Sequence, residues 1–186
     1  MEYGQQTIHK YLIERCKEGD RQAQNELYKL YAGAMYNVCR RMMGDEDEAR
    51  DVLQDAFVSA FSRMNSLKDV NLFSAWIKRI VVNHCLNSIR KRREYVVPLE
   101  ENMDVIEEEE MVNFNDYEVK KVMWAIDKLP EGARTVFSLY LFEGYDHKEI
   151  GEILGITESA SKAQYSKAKS KIRVMFEQKL EGYGRV

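Results

Sequence analysis

Acidic and basic side chains are segregated along this chain of 186 residues. Residues 94–119 hold ten Asp and Glu and no Lys or Arg, whereas residues 1–93 hold 16 basic and 12 acidic side chains and residues 120–186 hold 12 and 9. The only prolines, Pro98 and Pro130, lie near the two ends of this acidic segment and are typical of boundaries. The pattern predicts two basic units joined by a polyanionic segment. Two basic units favour two contacts with a polyanion such as DNA, which would repel the acidic segment.

Other classes of protein find little support in the composition. Cys16, Cys39 and Cys85 have no paired spacing, which favours reduced, buried thiols over a zinc site or disulfides. The first thirty residues lack the apolar stretch of a signal peptide, and the longest apolar run is far below the roughly 20 residues that cross a bilayer. We therefore expect a cytoplasmic protein without stable membrane insertion.

An enzyme is disfavoured as well. His9, His84 and His147 are scattered, and no carboxylate pair, Cys/His set or phosphate-binding glycine loop has usable spacing. We predict no catalytic residue, no cofactor and no metal site.

Helical periodicity dominates both ends of the chain, and alternating strand patterns are scarce, which predicts an all-α fold. Capping residues and glycines set the expected bounds. The predicted helices cover about 7–18, 21–43, 46–63, 72–93, 115–128 and 131–143, followed by two helices of which the second spans 158–176. Leu27, Leu30 and Met35 lie at helical spacing in the second helix, and Val122 and Ile126 are expected to point inward in the fifth. The glycine-rich tail after Leu180 is expected to fray.

The helix over 46–63 has two different faces. Its apolar residues recur at i, i+3, i+4 and i+7, which predicts a buried stripe. The exposed face then carries Asp51, Gln54, Asp55 and Val58. Acids beside an exposed valine suggest a site for a protein partner, although a solvated acidic face fits the sequence equally well.

The helix over 72–93 carries an unusual polar stripe. Trp76, Arg79, Asn83, Asn87 and Arg90 fall within about 80° of one another at 100° per residue. A ring for stacking, amides for base edges and cations for phosphates suit unstacked or single-stranded DNA. The alternative is a buried helix with a polar solvent edge.

The C-terminal unit has the pattern of a helix-turn-helix. Asp146 and Glu149 form a capping-box variant, Gly155 permits a tight turn, and Thr157 can cap the following helix. On that helix Ser161, Tyr165 and Ala168 share the inward face. The opposite face places small hydroxyls between lysines, which favours DNA binding over an ordinary solvated face.

These motifs together resemble the bacterial sigma factors of the extracytoplasmic-function group. The matching strings begin at Asp51 (DVLQDAF), Phe73 (FSAWIKRIVVN), Leu129 (LP) and Gly155 (GITESASK), and they occur in the family's order. The resemblance implies an all-α protein in which a region 2 helical bundle and a region 4 helix-turn-helix are joined by an acidic flexible linker. The implied domains are residues 1–93, the linker 94–116, residues 117–180 and a tail over 181–186.

The resemblance also implies a role for each face. Asp51, Gln54, Asp55 and Val58 would dock on the clamp coiled coil of the polymerase largest subunit, with a further contact to the flap. The −10 promoter element would be bound and melted by Trp76, Lys78, Arg79, Asn83, Asn87, Arg90 and Lys91, with Asn83 at a flipped base. The −35 element would be bound by Ser159, Lys162, Ala163, Gln164, Ser166, Lys167 and Lys169. The linker would follow the RNA exit path, and an anti-sigma factor would be a partner beside core RNA polymerase and promoter DNA.

One part of the chain departs from the commoner family pattern. Ser161, Ala163, Gln164 and Ser166 stand where many relatives carry Val, Ser, Arg and Phe, and the string is similar to sigma factors of the Bacteroides-like lineage. Promoter sequences therefore cannot be transferred from better-known relatives. The alternative function is a helix-turn-helix regulator that binds duplex DNA without polymerase, although such a protein needs neither the acidic face nor the Trp/Asn/Arg stripe.

Overall fold

The computed structural model describes residues 2–95 and 114–183, with side chains over 9–92 and 120–176. Within these ranges the chain forms eight α-helices and no β-strand, which confirms the all-α prediction. The chain divides into two compact units, residues 1–99 and 100–186. Most of the acidic segment lies outside the described residues.

The N-terminal unit is a bundle of four helices. They are α1 (Glu2–Lys17), α2 (Arg21–Met43), α3 (Glu46–Ser62) and α4 (Phe73–Tyr95), and two 3-10 turns, Met64–Ser66 and Val70–Leu72, connect α3 to α4. Helix α2 packs against the other three helices. Leu27, Ala56 and Ile77 are fully buried where these helices meet, so each helix contributes one apolar face to a shared core.

Side chains cap α2 and α3, and the sequence predicts the first of these caps. The Asp20 carboxylate accepts hydrogen bonds from the backbone N–H groups of Gln22 (2.8 Å) and Ala23 (3.2 Å) at the start of α2. Gly44 ends α2 in the left-handed conformation, with φ 77°. Asp45 then accepts from the N–H groups of Asp47 and Glu48. The pKa of the Asp45 carboxyl is lowered, and the largest cause is its hydrogen bond from the Glu48 N–H.

The C-terminal unit holds the other four helices. They are α5 (Phe114–Asp127), α6 (Glu131–Leu141), α7 (His147–Leu154) and α8 (Glu158–Tyr183). Ile126, Leu129, Phe137 and Ala168 form its core. The buried guanidinium of Arg134 donates to the backbone carbonyls of Asp127 and Leu129, both at 3.3 Å, and so satisfies acceptors at the end of α5.

Several sequence-based expectations about these helices are wrong. Val122, expected to point inward, is 39% exposed, and Leu30, which lies at the same helical spacing as the buried Leu27, is 53% exposed. A proline before residue 131 would suit the first turn of the predicted helix, but Pro130 is the N-cap residue of α6 and precedes that turn. Helix α8 continues to Tyr183, past the expected end at 176 and into the tail expected to fray, since a helix tolerates Gly182 at a cost of about 1 kcal/mol.

Candidate nucleic-acid and polymerase interfaces

Helix α8 presents the lysine-rich face that the sequence predicts. Of the residues assigned to −35 binding, all but one are exposed: Ser159, Lys162, Ala163, Ser166, Lys167 and Lys169. Gln164 is half-buried at the edge of this face. On the opposite side Ser161 and Ala168 are buried, as predicted. The face therefore offers six exposed side chains, three short and three cationic, with no large apolar group among them, a surface that a DNA groove can approach closely.

The turn before α8 is built by local hydrogen bonds. The Asp146 carboxylate accepts from the Glu149 N–H at 2.7 Å, and the Glu149 carboxylate accepts from the Asp146 N–H at 2.8 Å, which completes the predicted capping box. Gly155 ends α7 with φ 68°. Thr157 Oγ1 then accepts the N–H of Ala160 at 3.1 Å at the start of α8. These contacts confirm the helix-turn-helix.

One lysine of this face has an intramolecular partner that the sequence pattern does not predict. Lys162 Nζ lies 2.6 Å from Glu158 Oε1, one helical turn away. Its hydrogen bond with this carboxylate raises the pKa of Lys162 and lowers that of Glu158. Both side chains are more than half exposed, so the pair is weak in water and Lys162 can exchange Glu158 for a phosphate at little cost.

Helix α4 carries the predicted polar stripe at its surface. Arg79, Asn83, Asn87, Arg90 and Lys91 are all exposed, and Lys78 is half-buried beside them. The inward residues of the same helix, such as Ile77, Val81 and Cys85, are fully buried. The stripe is thus exposed along about four turns of one helix, where a partner can approach it.

Trp76 is half-buried. The sequence is compatible with a Trp76 in the core or on the surface, and the structure places it at the boundary between the two. Its ring lies 5.8 Å from the ring of Phe73, which is buried and 4.9 Å from the ring of Tyr31 on α2. Burial raises the pKa of the Tyr31 phenol. Tyr31 was not assigned to the site from sequence, because it lies more than forty positions before Trp76. The aromatic contacts fix one side of the Trp76 indole and leave part of it for a stacking partner.

Helix α3 has the predicted acidic face. Asp51, Gln54, Asp55 and Val58 are exposed, and the Val58 side chain is 64% exposed although its neighbour Phe57 is buried. His84 of α4 lies near Asp55, and burial lowers the pKa of its imidazole. An exposed apolar side chain ringed by carboxylates and an amide is a surface typical of protein recognition.

The remaining sequence expectations concern thiols and membranes. Cys16, Cys39 and Cys85 are buried thiols, as predicted, and burial raises the pKa of the Cys16 thiol to about 11. Over the described ranges, none of the helices has both the length and the apolarity to span a membrane.

Comparison with known families gives two matches. The model of sigma-70 region 2 matches residues 27–95, and the model of sigma-70 region 4 matches residues 120–172. Together they span about two thirds of the chain, and each match lies within one structural unit.

Curated relatives and solved structures agree with the family models. The sigma factor SigW of Bacillus subtilis is 29% identical over 175 residues, covering 87% of this chain and 92% of the relative. The sigma-E factor of Haemophilus influenzae is 27% identical over 192 residues, covering 95% and 97%. The fold is similar to that of the sigma factor RpoE from Bartonella quintana, solved with the anti-sigma factor NepR, with a TM-score of 0.53, 18% identity and coverage of 82% and 96%.

Both sigma regions are therefore present in the family's order, each on its own helical unit, and the curated relatives align along most of their length. The chain belongs to the sigma-70 family as a sigma factor of the extracytoplasmic-function group, and it directs transcription initiation.

Proposed function

We propose that the two units divide promoter recognition between them, with core polymerase docking on the first. The observation that carries the proposal is that the N-terminal bundle exposes two unlike faces. One is the acidic face of α3, which suits polymerase docking, and the other is the Trp/Asn/Arg stripe of α4, which suits DNA. The proposed domains are 1–93, 117–180, the linker 94–116 between them and a tail over 181–186. The family matches to residues 27–95 and 120–172 support two separate domains, one for each match.

The first proposed role is melting of the −10 element by α4. Trp76 offers part of a fixed ring for stacking, while Asn83 and Asn87 offer amides for a base edge. The cations Lys78, Arg79, Arg90 and Lys91 lie on the same helix and would contact phosphates. This combination supports capture of an unpaired base by Asn83 better than recognition of an intact duplex.

The second proposed role is recognition of the −35 element by α8. Lys162, Lys167 and Lys169 provide cations for phosphates or guanine, and Ser159, Ala163 and Ser166 are small enough to let the helix backbone approach a groove. Gln164, at the edge of the face, can pair with adenine.

The third proposed role is docking of α3 on core RNA polymerase. Asp51, Gln54, Asp55 and Val58 form a compact exposed patch whose acids would meet a basic partner surface on the clamp coiled coil. The C-terminal unit would contact the flap, and the acidic segment would follow the RNA exit path, where ten carboxylates imitate the charge of RNA.

The partners and setting follow from the same reasoning. The sigma factor RpoE is held by an anti-sigma factor, which supports an inhibitor of that kind for this chain as well. We place the protein in the cytoplasm with RNA polymerase. In this proposal the polymerase catalyses RNA synthesis, and the protein itself has no catalytic activity. The string from Ser161 to Lys167 supports a place in the Bacteroides-like lineage.

Run-off transcription with purified core polymerase and fragmented genomic DNA tests the proposal. We expect discrete start sites that require the protein, with two shared sequence elements upstream of each start. Duplex DNA binding without any protein-dependent start would favour the second candidate, a helix-turn-helix regulator that acts without polymerase.

A further inference from the structure

Three aromatic rings from three different helices meet behind the lysine-rich face of α8. The ring centroids of Tyr140 (α6) and His147 (α7) lie 4.3 Å apart with an angle of 11° between the planes, which is a stacked pair. Tyr165 of α8 lies 4.6 Å from Tyr140 and 5.6 Å from His147, at steep angles to both. Such offset and edge contacts are favourable beyond the area they bury.

A hydrogen bond joins this aromatic cluster to the buried face of α8. His147 Nδ1 lies 3.0 Å from Ser161 Oγ, and either group can donate depending on the tautomer of the imidazole. Ser161 is fully buried, whereas His147 is half-buried. A buried hydroxyl that loses its partner is costly, so the bond favours one arrangement of α7 against α8.

The position of Ser161 links this contact to the orientation of the exposed face of α8. Lys162 follows Ser161 directly, and Tyr165 lies one turn further on the same inward face as Ser161. The cluster therefore sets the rotation of α8 about its own axis. Because a helix has a radius of about 5–6 Å with its side chains, a rotation of roughly 20° would move the exposed groups by about 2 Å, enough to break hydrogen bonds to bases.

We propose that His147 is a positioning residue for −35 recognition, and that it acts through Ser161 to set the orientation of α8. The inference rests on the proposed role of α8 at the −35 element. His147 itself contacts no DNA in this mechanism. Its ring and its Nδ1 atom act together, the ring by stacking on Tyr140 and the nitrogen by pairing with Ser161.

A double-mutant cycle in the complete holoenzyme tests the inference. The variants are His147→Phe, which keeps a ring but loses the nitrogen, Ser161→Ala, which removes the hydroxyl, and the combination of both. Transcription is measured on a promoter with its own −35 element and on templates with single substitutions in that element. The measured quantity is the discrimination ratio between them.

We expect each single variant to lower the discrimination ratio about tenfold, and the double variant to be no worse than the poorer single one, because both changes remove one shared interaction. His147→Asn, which keeps a polar atom near the Nδ1 position, should retain most of the discrimination and covers the case in which His147→Phe fails to fold. A merely structural role would lower thermal stability and overall activity but leave the ratio unchanged.

Two results would overturn the inference. One is an unchanged discrimination ratio in Ser161→Ala and in the folded His147 variants; the other is fully additive losses in the double variant. The variant Lys167→Ala shows whether such a result refutes only the role of His147 or also the proposed binding of α8 to the −35 element. If Lys167→Ala lowers activity on the native −35 element, α8 does contact it and only the role of His147 is refuted. If neither Lys167→Ala nor a scrambled −35 element changes transcription, the −35 assignment itself is wrong.

Discussion

Individual side chains on a rigid helix can be assigned to the inside or the outside from spacing alone when one neighbour covers one face. Asn83 illustrates this, since it is exposed between the buried Val82 and the half-buried His84. Ser161 illustrates the opposite case, a polar residue whose spacing places it inside and which is satisfied there by His147. Asn83 can therefore contact a partner, whereas Ser161 contributes to the packing of α7 against α8.

At this scale we predict that Asn83→Ala impairs promoter opening more than polymerase binding. The variant removes an exposed amide without disturbing the core, so the bundle should keep its stability to within about 0.5 kcal/mol. Permanganate footprinting of the opened −10 region, compared with a core polymerase binding assay, measures both effects. Asn25→Ala, an exposed asparagine on α2, is the matched control and should change neither. Equal losses of opening and polymerase binding in Asn83→Ala would contradict the assignment.

At the scale of the element, the turn between α7 and α8 depends on a close backbone approach. A Cβ atom on Gly151 would lie 2.8 Å from the backbone carbonyl oxygen of Ile156, and Gly151 accepts the N–H of Ile156 at 3.0 Å. The capping box and the left-handed Gly155 fix the two ends of the short helix. The helix-turn-helix is thus specified by contacts of the main chain as much as by its apolar residues.

We predict that Gly151→Val lowers the free energy of unfolding of the full chain by about 1–3 kcal/mol, because the branched side chain forces apart α7 and the turn. Gly33→Val, within α2, is the matched control. A Cβ at Gly33 meets no atom within 4 Å, so we expect a change within about 0.5 kcal/mol. Denaturant unfolding followed by circular dichroism measures both, and equal effects would refute the steric explanation.

For the whole molecule, the important property is that each unit has its own core. Leu27, Ala56 and Ile77 belong to the first, and Ile126, Leu129 and Phe137 to the second. Surface changes on α3 are therefore expected to leave the C-terminal helix-turn-helix folded. The functions of the two units can then be lost separately.

We predict that Asp51→Arg together with Asp55→Arg weakens binding to core polymerase at least about tenfold, since the new cations would meet a basic partner surface. Fluorescence anisotropy with labelled protein measures the affinity. Glu18→Arg with Glu26→Arg makes the same change in charge at exposed positions elsewhere on the bundle and should have a much smaller effect. Undiminished binding by the Asp51/Asp55 variant, or equal weakening by the control, would refute the clamp-docking role.

Sequence patterns predict most of the helices, several of their caps and the residues that share each face. Asp20 and Asp146 cap helices as predicted because capping depends on a few neighbouring residues. The exposed acids of α3 and the lysines of α8 follow from the helical period of 3.6 residues. These properties are local, so a linear pattern contains them.

Which faces are covered, and which distant side chains meet, depends on how the helices pack in three dimensions. Leu30 and Val122 continue apolar stripes yet are exposed, since none of the described helices covers them. Tyr140, His147 and Tyr165 form one cluster although they belong to three helices. Burial and contact depend on how helices pack, and packing is set by the combined shape of several faces, which no single stretch of sequence contains.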